Sequence, residues 1–481
     1  MKNKTIYGIL GLPLIALLIG GCSQYFEVNP DMRTELNTAD KVGQLLVTAY
    51  PTSDYLLFTE AASDYAIDRG PGSYSRDDIA RESYLWTDIP EMDGKNTPNT
   101  YWLAMYRTIA AANQAIEAVD DNNFGVKGQQ YKGEALLCRA YAHFMLVSIF
   151  SKAYHINGDN SSMGIPYLTV PEKVAFKDYD RGTVASVYEN IEKDLVEGMK
   201  LIKGLTFKSP KFHFNMQAAN AFAARFYLFK GDYDKVIEYS SAIFPENNFR
   251  PNLRPVGTRM KNNSNTFTPI FTGTQENFNL LLTNVTSSFA MTFGSSRYGF
   301  GKDARRFLDT VTVAGKPFSN YFLTISGTED KLLVAKYTTN TPTTVQCLFS
   351  ADEALMNRAE AYINKGNYEL ALNDLNDFAA VRIVNYDAGT DVITESKVLS
   401  FYKTTDLKEG LMKTLLDFKK QGFVQEGIRW FDINRLGIEI IHRVYNDNYN
   451  ATYDVLKKDD LRRVFQLPPS VTLSGLPKNP R

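Results

Sequence analysis

Apolar positions along most of this chain recur every three to four residues, the period of a helix with one buried face. In "TYWLAMYRTIAAANQAIEAVD" the residues Trp102, Met105, Tyr106, Ile109 and Ile116 share such a face, which predicts an amphipathic helix with Trp102 in the core. "RGTVASVYENIEKDLVEGMKLI" repeats the pattern, with Val184, Val187, Ile191 and Leu195 inward and Thr183 as the cap. "GEALLCRAYAHFMLVSIF" is apolar nearly all round from Ala135 to Phe150, broken only by Arg139 and His143, and so predicts a helix buried on most sides. Strand periodicity is confined to short pieces such as "NFNLLLTNV".

Two later segments repeat one another. Counted from Gly231 and Gly366, both place Ala at minus twelve (Ala219, Ala354), Ala at minus seven (Ala224, Ala359), Tyr at minus four (Tyr227, Tyr362) and Tyr at plus two (Tyr233, Tyr368). This is tetratricopeptide-like grammar: small residues let two helices approach, glycine makes the turn, and the ring after it fills the gap. The copies stand too far apart in the chain for a tandem array, so insertions must separate the helix pairs. The main insertion, about 251–344, is rich in Asn, Thr, Gly and Ser, and "DRGPGSYSRDD" from Asp68 has turn composition. The fold class is therefore mainly α: a tetratricopeptide-like helical-pair scaffold with long irregular loop insertions and a few short strands. Loops of that kind are where function usually sits.

The N-terminus adds an address. Lys2 and Lys4 precede an apolar run from Ile6 to Ile19 that ends in Gly20 and Gly21. That run is shorter than the roughly 20 apolar residues of a membrane span and has the order of an export signal, predicted to cover residues 1–21. "IGGC" has the form of a lipobox, which makes Cys22 the lipid anchor and first residue of a mature domain 22–481. Within it we expect an N-terminal part of about 22–250, the insertion, and a C-terminal helical part of about 345–481.

A net charge of −1, with no Lys/Arg stripe interleaved with aromatics, argues against nucleic acid as a partner. Cys138 lies in an apolar helical run where a buried thiol is the expected state; pairing with Cys347 is the alternative. No His-Glu-x-x-His, paired-cysteine, Gly-x-Ser-x-Gly or phosphate-loop spacing occurs, so neither metal, cofactor nor catalysis is expected. "GFGKDA" from Gly299 matches a dinucleotide fingerprint only formally and is expected to be a flexible loop.

Taken in order, "CSQYFEVNP", "YWLAMYRTIAAANQAI", "GEALLCRAYAHFMLVSIF", "RGTVASVYENIEKDL", "KYTT" from Lys336, "ADEALMNRAEAYINKGNYELALNDLNDFAAVRI", "EGIRWFDINRLG" and "FQLPPSV" resemble the SusD/RagB family of nutrient-uptake lipoproteins. The resemblance implies a protein held by lipid at the outer membrane, facing the cell surface. It would capture a glycan or other oligomeric nutrient and pass it to a TonB-dependent SusC-like barrel, without catalysis. The family's acidic run after the cysteine is reduced here to Glu27, and the tail reads "PKNPR".

In "EGIRWFDINRLG", Glu426, Arg429, Asp432 and Arg435 stand three residues apart and are expected to pair with one another as structural charges. Sugars bind where flat rings meet their C–H face and polar groups read the hydroxyls. Trp86 with Tyr84, the preceding Asp64, Arg69 and Tyr74, and Arg297 with Tyr298 in "SSRYGFG" form the candidate ligand-binding set. A periplasm-facing tetratricopeptide scaffold that binds proteins is the alternative function; an extracellular hydrolase is a third.

Overall fold

The computed structural model describes residues 35–481 except 74–77, 91–93, 174–177, 262–263, 321, 325–331, 335, 338–342 and 474. The expected signal peptide, Cys22 and Tyr74 lie outside the described residues. The chain opens with α1 (Ala39–Leu46), α2 (Leu56–Ala62), β1 (Ala66–Asp68) and α3 (Asp78–Tyr84). Three long helices follow, α4 (Pro98–Asp121), α5 (Gly125–Phe150) and α6 (Val184–Leu201), and then the pair α7 (Met216–Lys230) and α8 (Tyr233–Ser241). The insertion holds α9 (Ser264–Phe271), β2 (Asn279–Thr286), α10 (Phe289–Ser295), β3 (Tyr298–Phe300), α11 (Lys302–Leu308), β4 (Phe322–Thr324), β5 (Leu332–Val334) and β6 (Thr343–Ser350). The chain closes with α12 (Ala351–Lys365), α13 (Tyr368–Arg382), α14 (Glu395–Tyr402), α15 (Leu407–Gly422), α16 (Ile428–Leu436), the hairpin β7 (Ile440–Tyr445) and β8 (Ala451–Leu456), and α17 (Pro469–Leu473).

Caps begin the helices where the sequence asks for them. Thr183 accepts from the Ser186 N–H, Ser350 from Glu353, and Thr97 from Thr100, each satisfying one of the orphan donors of a first turn. The two repeat glycines end their helices alike. Gly231 and Gly366 take φ of 80° and 79°, and the next residue's N–H returns to Tyr227 O or Tyr362 O at 3.0 and 2.9 Å. A side chain with a Cβ disfavours that left-handed turn, which is why glycine marks it.

Helix α5 is the core of the N-terminal half, packed between α4 and α6. It is long and apolar enough to cross a membrane, yet it is enclosed by protein on nearly all sides. Its two polar interruptions are satisfied internally. Arg139 grips both Asp194 oxygens at 2.7 and 2.8 Å and also reaches Asn113 Oδ1. His143 donates from Nδ1 to Arg139 O and accepts the Leu168 N–H on Nε2, so its neutral tautomer is fixed. Cys138 and Cys347 are both free thiols, the first buried as expected.

The two repeat pairs, distant in sequence, are neighbours in space: α12 packs on both α7 and α8, and α13 on α12. The repeat alanines Ala219, Ala224, Ala354 and Ala359 are all buried at these contacts. The intervening chain is looped out, and antiparallel pairing of β2 with β6, Asn279 opposite Ser350, closes its base. The expected loop at "GFGKDA" is instead strand followed by helix: β3 pairs antiparallel with β1, and α11 starts at Lys302. Gly299 is required there because a Cβ would stand 2.1 Å from Phe293 O. A two-stranded antiparallel pair offers no βαβ cradle for a dinucleotide.

The charges of "EGIRWFDINRLG" are structural, but only part of the expected pairing is local. Arg435 holds Asp432 at 2.6 Å and also bridges to Glu360 on α12. Glu426 and Arg429 instead reach across the fold, to Arg254 and Lys336 and to Asp64 respectively.

Candidate functional site

The pairing of β1 with β3, Asp68 opposite Tyr298, brings the early loop against the insertion. Hairpin β7–β8 packs on the same strand pair. Asp68, at the end of β1, is the keystone. Its Oδ1 accepts from Arg297 Nε at 2.7 Å and from the Gly70 N–H at 2.8 Å; its Oδ2 accepts from Arg297 Nη2 at 2.9 Å and from the Tyr445 N–H at 2.8 Å. Arg297 Nη2 also donates to Tyr445 O at 2.7 Å, so one buried ion pair fixes three segments of chain.

Beside it stands a stack of rings. His442 lies 4.0 Å from the Tyr84 ring and 4.2 Å from Trp86, both nearly parallel, and Tyr298 leans on Tyr84 at 5.1 Å. Trp86 Nε1 donates to Ala62 O at 2.9 Å, and the Tyr84 hydroxyl donates to Arg443 O at 2.8 Å. Arg69 donates to the carbonyls of Ser296 and Phe300.

Five of the candidate ligand-binding residues, Arg69, Tyr84, Trp86, Arg297 and Tyr298, are therefore gathered at one place. They lie beneath its surface: Tyr84, Trp86 and Tyr298 are only 1%, 4% and 4% exposed. Their polar atoms serve the protein itself. Asp64 sits apart, paired with Arg429 at 3.0 Å and Lys420 at 2.7 Å. Burial alone would raise its pKa, but those two cations hold its carboxyl well below the usual carboxylate range.

What the sequence reading missed is the layer above. In the turn "VYNDNYNATY", Tyr449 has φ of 59° and is 59% exposed, and Tyr445 is half-buried beside it with ring centres 6.2 Å apart. The Gly72 N–H donates to the Tyr449 hydroxyl at 3.0 Å, and the Arg443 guanidinium lies 5.0 Å from the Tyr445 ring. The loop runs close under this ring: a Cβ at Gly70, whose φ of 88° also favours glycine, or at Gly72 would stand 2.8 Å and 2.5 Å from Tyr449. Further along the hairpin, Tyr453 is exposed opposite Arg443. The signal was present in the sequence: alternating residues either side of an Asn/Asp turn carrying tyrosines read as a hairpin with an aromatic tip.

Rings at the surface, held by glycines from below and flanked by arginines, offer flat apolar faces with donors at their rim. That arrangement suits a ligand with one C–H face and many hydroxyls. Among the described residues no group of three or more His, Cys, Asp or Glu side chains could hold a metal ion.

The fold defines a class: a helical-pair scaffold interrupted by a long loop-rich insertion. Residues 24–228 match the family model SusD-like_3, described as starch-binding associating with outer membrane. The fold matches solved structures over nearly the whole chain. A putative sugar binding protein from Bacteroides vulgatus superposes with a TM-score of 0.68 at 19% identity, covering 93% of this chain and 99% of that one. A SusD superfamily protein from Bacteroides thetaiotaomicron gives 0.66 at 18%, covering 92% and 100%. A SusD-like carbohydrate binding protein from Bacteroides fragilis gives 0.64 at 14%, covering 92% and 99%. No curated protein matches the chain in sequence. The N-terminal part of the chain thus matches a SusD-like family model, and the fold over nearly the whole chain is that of solved SusD superfamily structures.

Proposed function

We propose that this chain is a non-catalytic glycan-capturing lipoprotein that delivers its ligand to a TonB-dependent SusC-like barrel in the outer membrane. Residues 1–21 are removed on export, Cys22 carries the acyl chains, and 22–481 is the working domain at the cell surface. Two lipid signals or more make such anchoring stable. The family's starch-binding description and the sugar-binding names of similar structures support a glycan as the ligand class.

The observation that carries the reading is the Tyr445–Tyr449 surface and the rigid junction beneath it. A sugar ring laid on Tyr449 would meet a face that already stands in position, so little side-chain entropy is lost on binding. The Asp68–Arg297 pair and the Tyr84–His442–Trp86 stack are positioning groups: they hold the loop 69–73, the turn 445–450 and the insertion in register and do not themselves face the ligand.

Detergent extraction of native membranes containing the tagged protein tests the delivery role. A stoichiometric TonB-dependent barrel should co-purify. Recovery with soluble periplasmic proteins alone would favour a protein-binding scaffold.

A further inference from the structure

Where the insertion meets the C-terminal helices lies a small cavity of about 10 Å³, lined by Arg254, Asn320, Lys336, Arg382 and Gln421 and walled by Phe271 among other rings. Arg254 is almost fully buried. Its Nη1 donates to both Glu426 oxygens at 3.0 and 2.8 Å, and its guanidinium carbon lies 4.4 Å from the Phe271 ring centre. Among the described residues its Nε and Nη2 N–H groups find no oxygen or nitrogen acceptor, only the weakly accepting Cys347 thiol standing beside the guanidinium, and Asn320 Nδ2 has none either. Buried donors without acceptors are costly, so such a cluster calls for an explanation.

The local carboxylates are already used. Lys336 Nζ donates to Glu426 Oε1 at 2.6 Å and to the carbonyls of Val424 and Gly422 at 2.7 and 3.3 Å. Three acceptors match the three N–H groups of an ammonium, although burial pulls the lysine pKa down. Arg382 Nη2 donates to Asp352 Oδ1, which also takes the Arg254 N–H. Among the described residues, three cations thus face two carboxylates. Glu60, the next carboxyl, is pushed up to about 8 by burial, against the pull of the Gly427 N–H, and so supplies no third charge at neutral pH.

We propose that this cavity binds a monovalent halide, held by Arg254 Nε and Nη2 and Asn320 Nδ2. One uncompensated positive charge selects one negative charge. Diverging N–H donors between phenyl rings suit a spherical, weakly hydrated ion better than a carboxylate or phosphate, which would want a bidentate fork. Gln421, whose Oε1 lacks a donor, turns its NH₂ toward the ion by a half-rotation of the amide. The ion would fasten Arg254 and Asn320 of the insertion to Arg382 on α13 and Gln421 on α15, tying the ligand-bearing loops to the helical frame.

Crystals of the full domain grown with bromide in place of chloride, at the same concentration, test this by anomalous scattering, together with thermal unfolding in chloride and in gluconate at matched ionic strength. The expected result is a bromide peak within hydrogen-bonding distance of Arg254 and Asn320, and a higher unfolding midpoint in chloride that Asn320→Leu abolishes. Both readouts on the unaltered protein stand even if that variant folds poorly. Water at the position with equal midpoints in the two salts overturns the proposal. So does a peak seen only at molar bromide, an adventitious ion only.

Discussion

Asp68 and Arg297 are 229 positions apart in the chain and meet in a bidentate ion pair at 2.7 and 2.9 Å, with the carboxylate fully buried and the guanidinium nearly so. Each oxygen of the carboxylate also takes a backbone N–H, one from the loop at Gly70 and one from the hairpin at Tyr445. Asp68→Asn keeps the shape and loses the charge, leaving Arg297 without its counter-ion. Breaking a buried pair costs about 3–5 kcal/mol, and the residual water around Arg297 brings the expected loss toward the lower end. Denaturant unfolding measures it. Adding Arg297→Met to Asp68→Asn should recover part of the loss, because it removes the orphaned charge.

Surface rings and buried rings should separate in their effects. Tyr449→Ala removes a face that solvent already touches, so folding should change little while glycan affinity falls by roughly 3- to 10-fold, the worth of one ring contact of about 0.5–1.5 kcal/mol. Trp86→Ala should do the reverse. It empties a space beside His442 in the core and should cost about 3–5 kcal/mol of stability. A Trp86 variant of unchanged stability with lost binding would return that ring to the ligand.

The repeat turns give a matched pair. At Gly366 nothing lies within 4 Å of an added Cβ, so Gly366→Ala pays only for the left-handed backbone, about 1 kcal/mol. At Gly231 the same Cβ stands 2.5 Å from Ile156, so Gly231→Ala must displace that side chain as well and should cost more. Equal unfolding midpoints for the two variants would contradict this.

Acid should destabilise the N-terminal half through His143. Burial holds its pKa down at about 3, against an ordinary 6.5, despite its bond to Arg139 O. The unfolded chain therefore takes up a proton below about pH 6.5 that the folded chain refuses until about pH 3, and stability falls as pH falls through that window. His143→Gln, which keeps a donor and an acceptor, should flatten this part of the pH–stability curve. An NMR titration that found the imidazole protonated in the folded protein at pH 5 would contradict the assignment.

Much of the scaffold was legible because it follows periodicity. Trp102, the face of α6 and the two glycine turns are set by neighbours three or four residues away, and the structure has them as read. The adjacency of α8 and α12 could not be read, since it depends on how β2 and β6 fold the insertion back on itself. The candidate site failed to be legible for a related reason. Tyr84 and Trp86 look like free rings in a loop because His442, which fills the gap between them, comes from a hairpin more than 350 positions later. Tyr449 was passed over although its turn was recognisable, because nothing local says that Gly70 and Gly72 clear room for it. "GFGKDA" misled in the opposite sense: its Gly299 serves a close backbone approach and not mobility.

The measurement that tests the account most directly is retention of the purified domain in native gels containing a panel of polysaccharides, run beside a Tyr445→Ala/Tyr449→Ala variant of equal unfolding midpoint. Retardation by at least one glycan, lost in the variant, is the predicted result. A variant that is retarded as strongly as the unaltered protein, or a protein that no glycan retards, would contradict it.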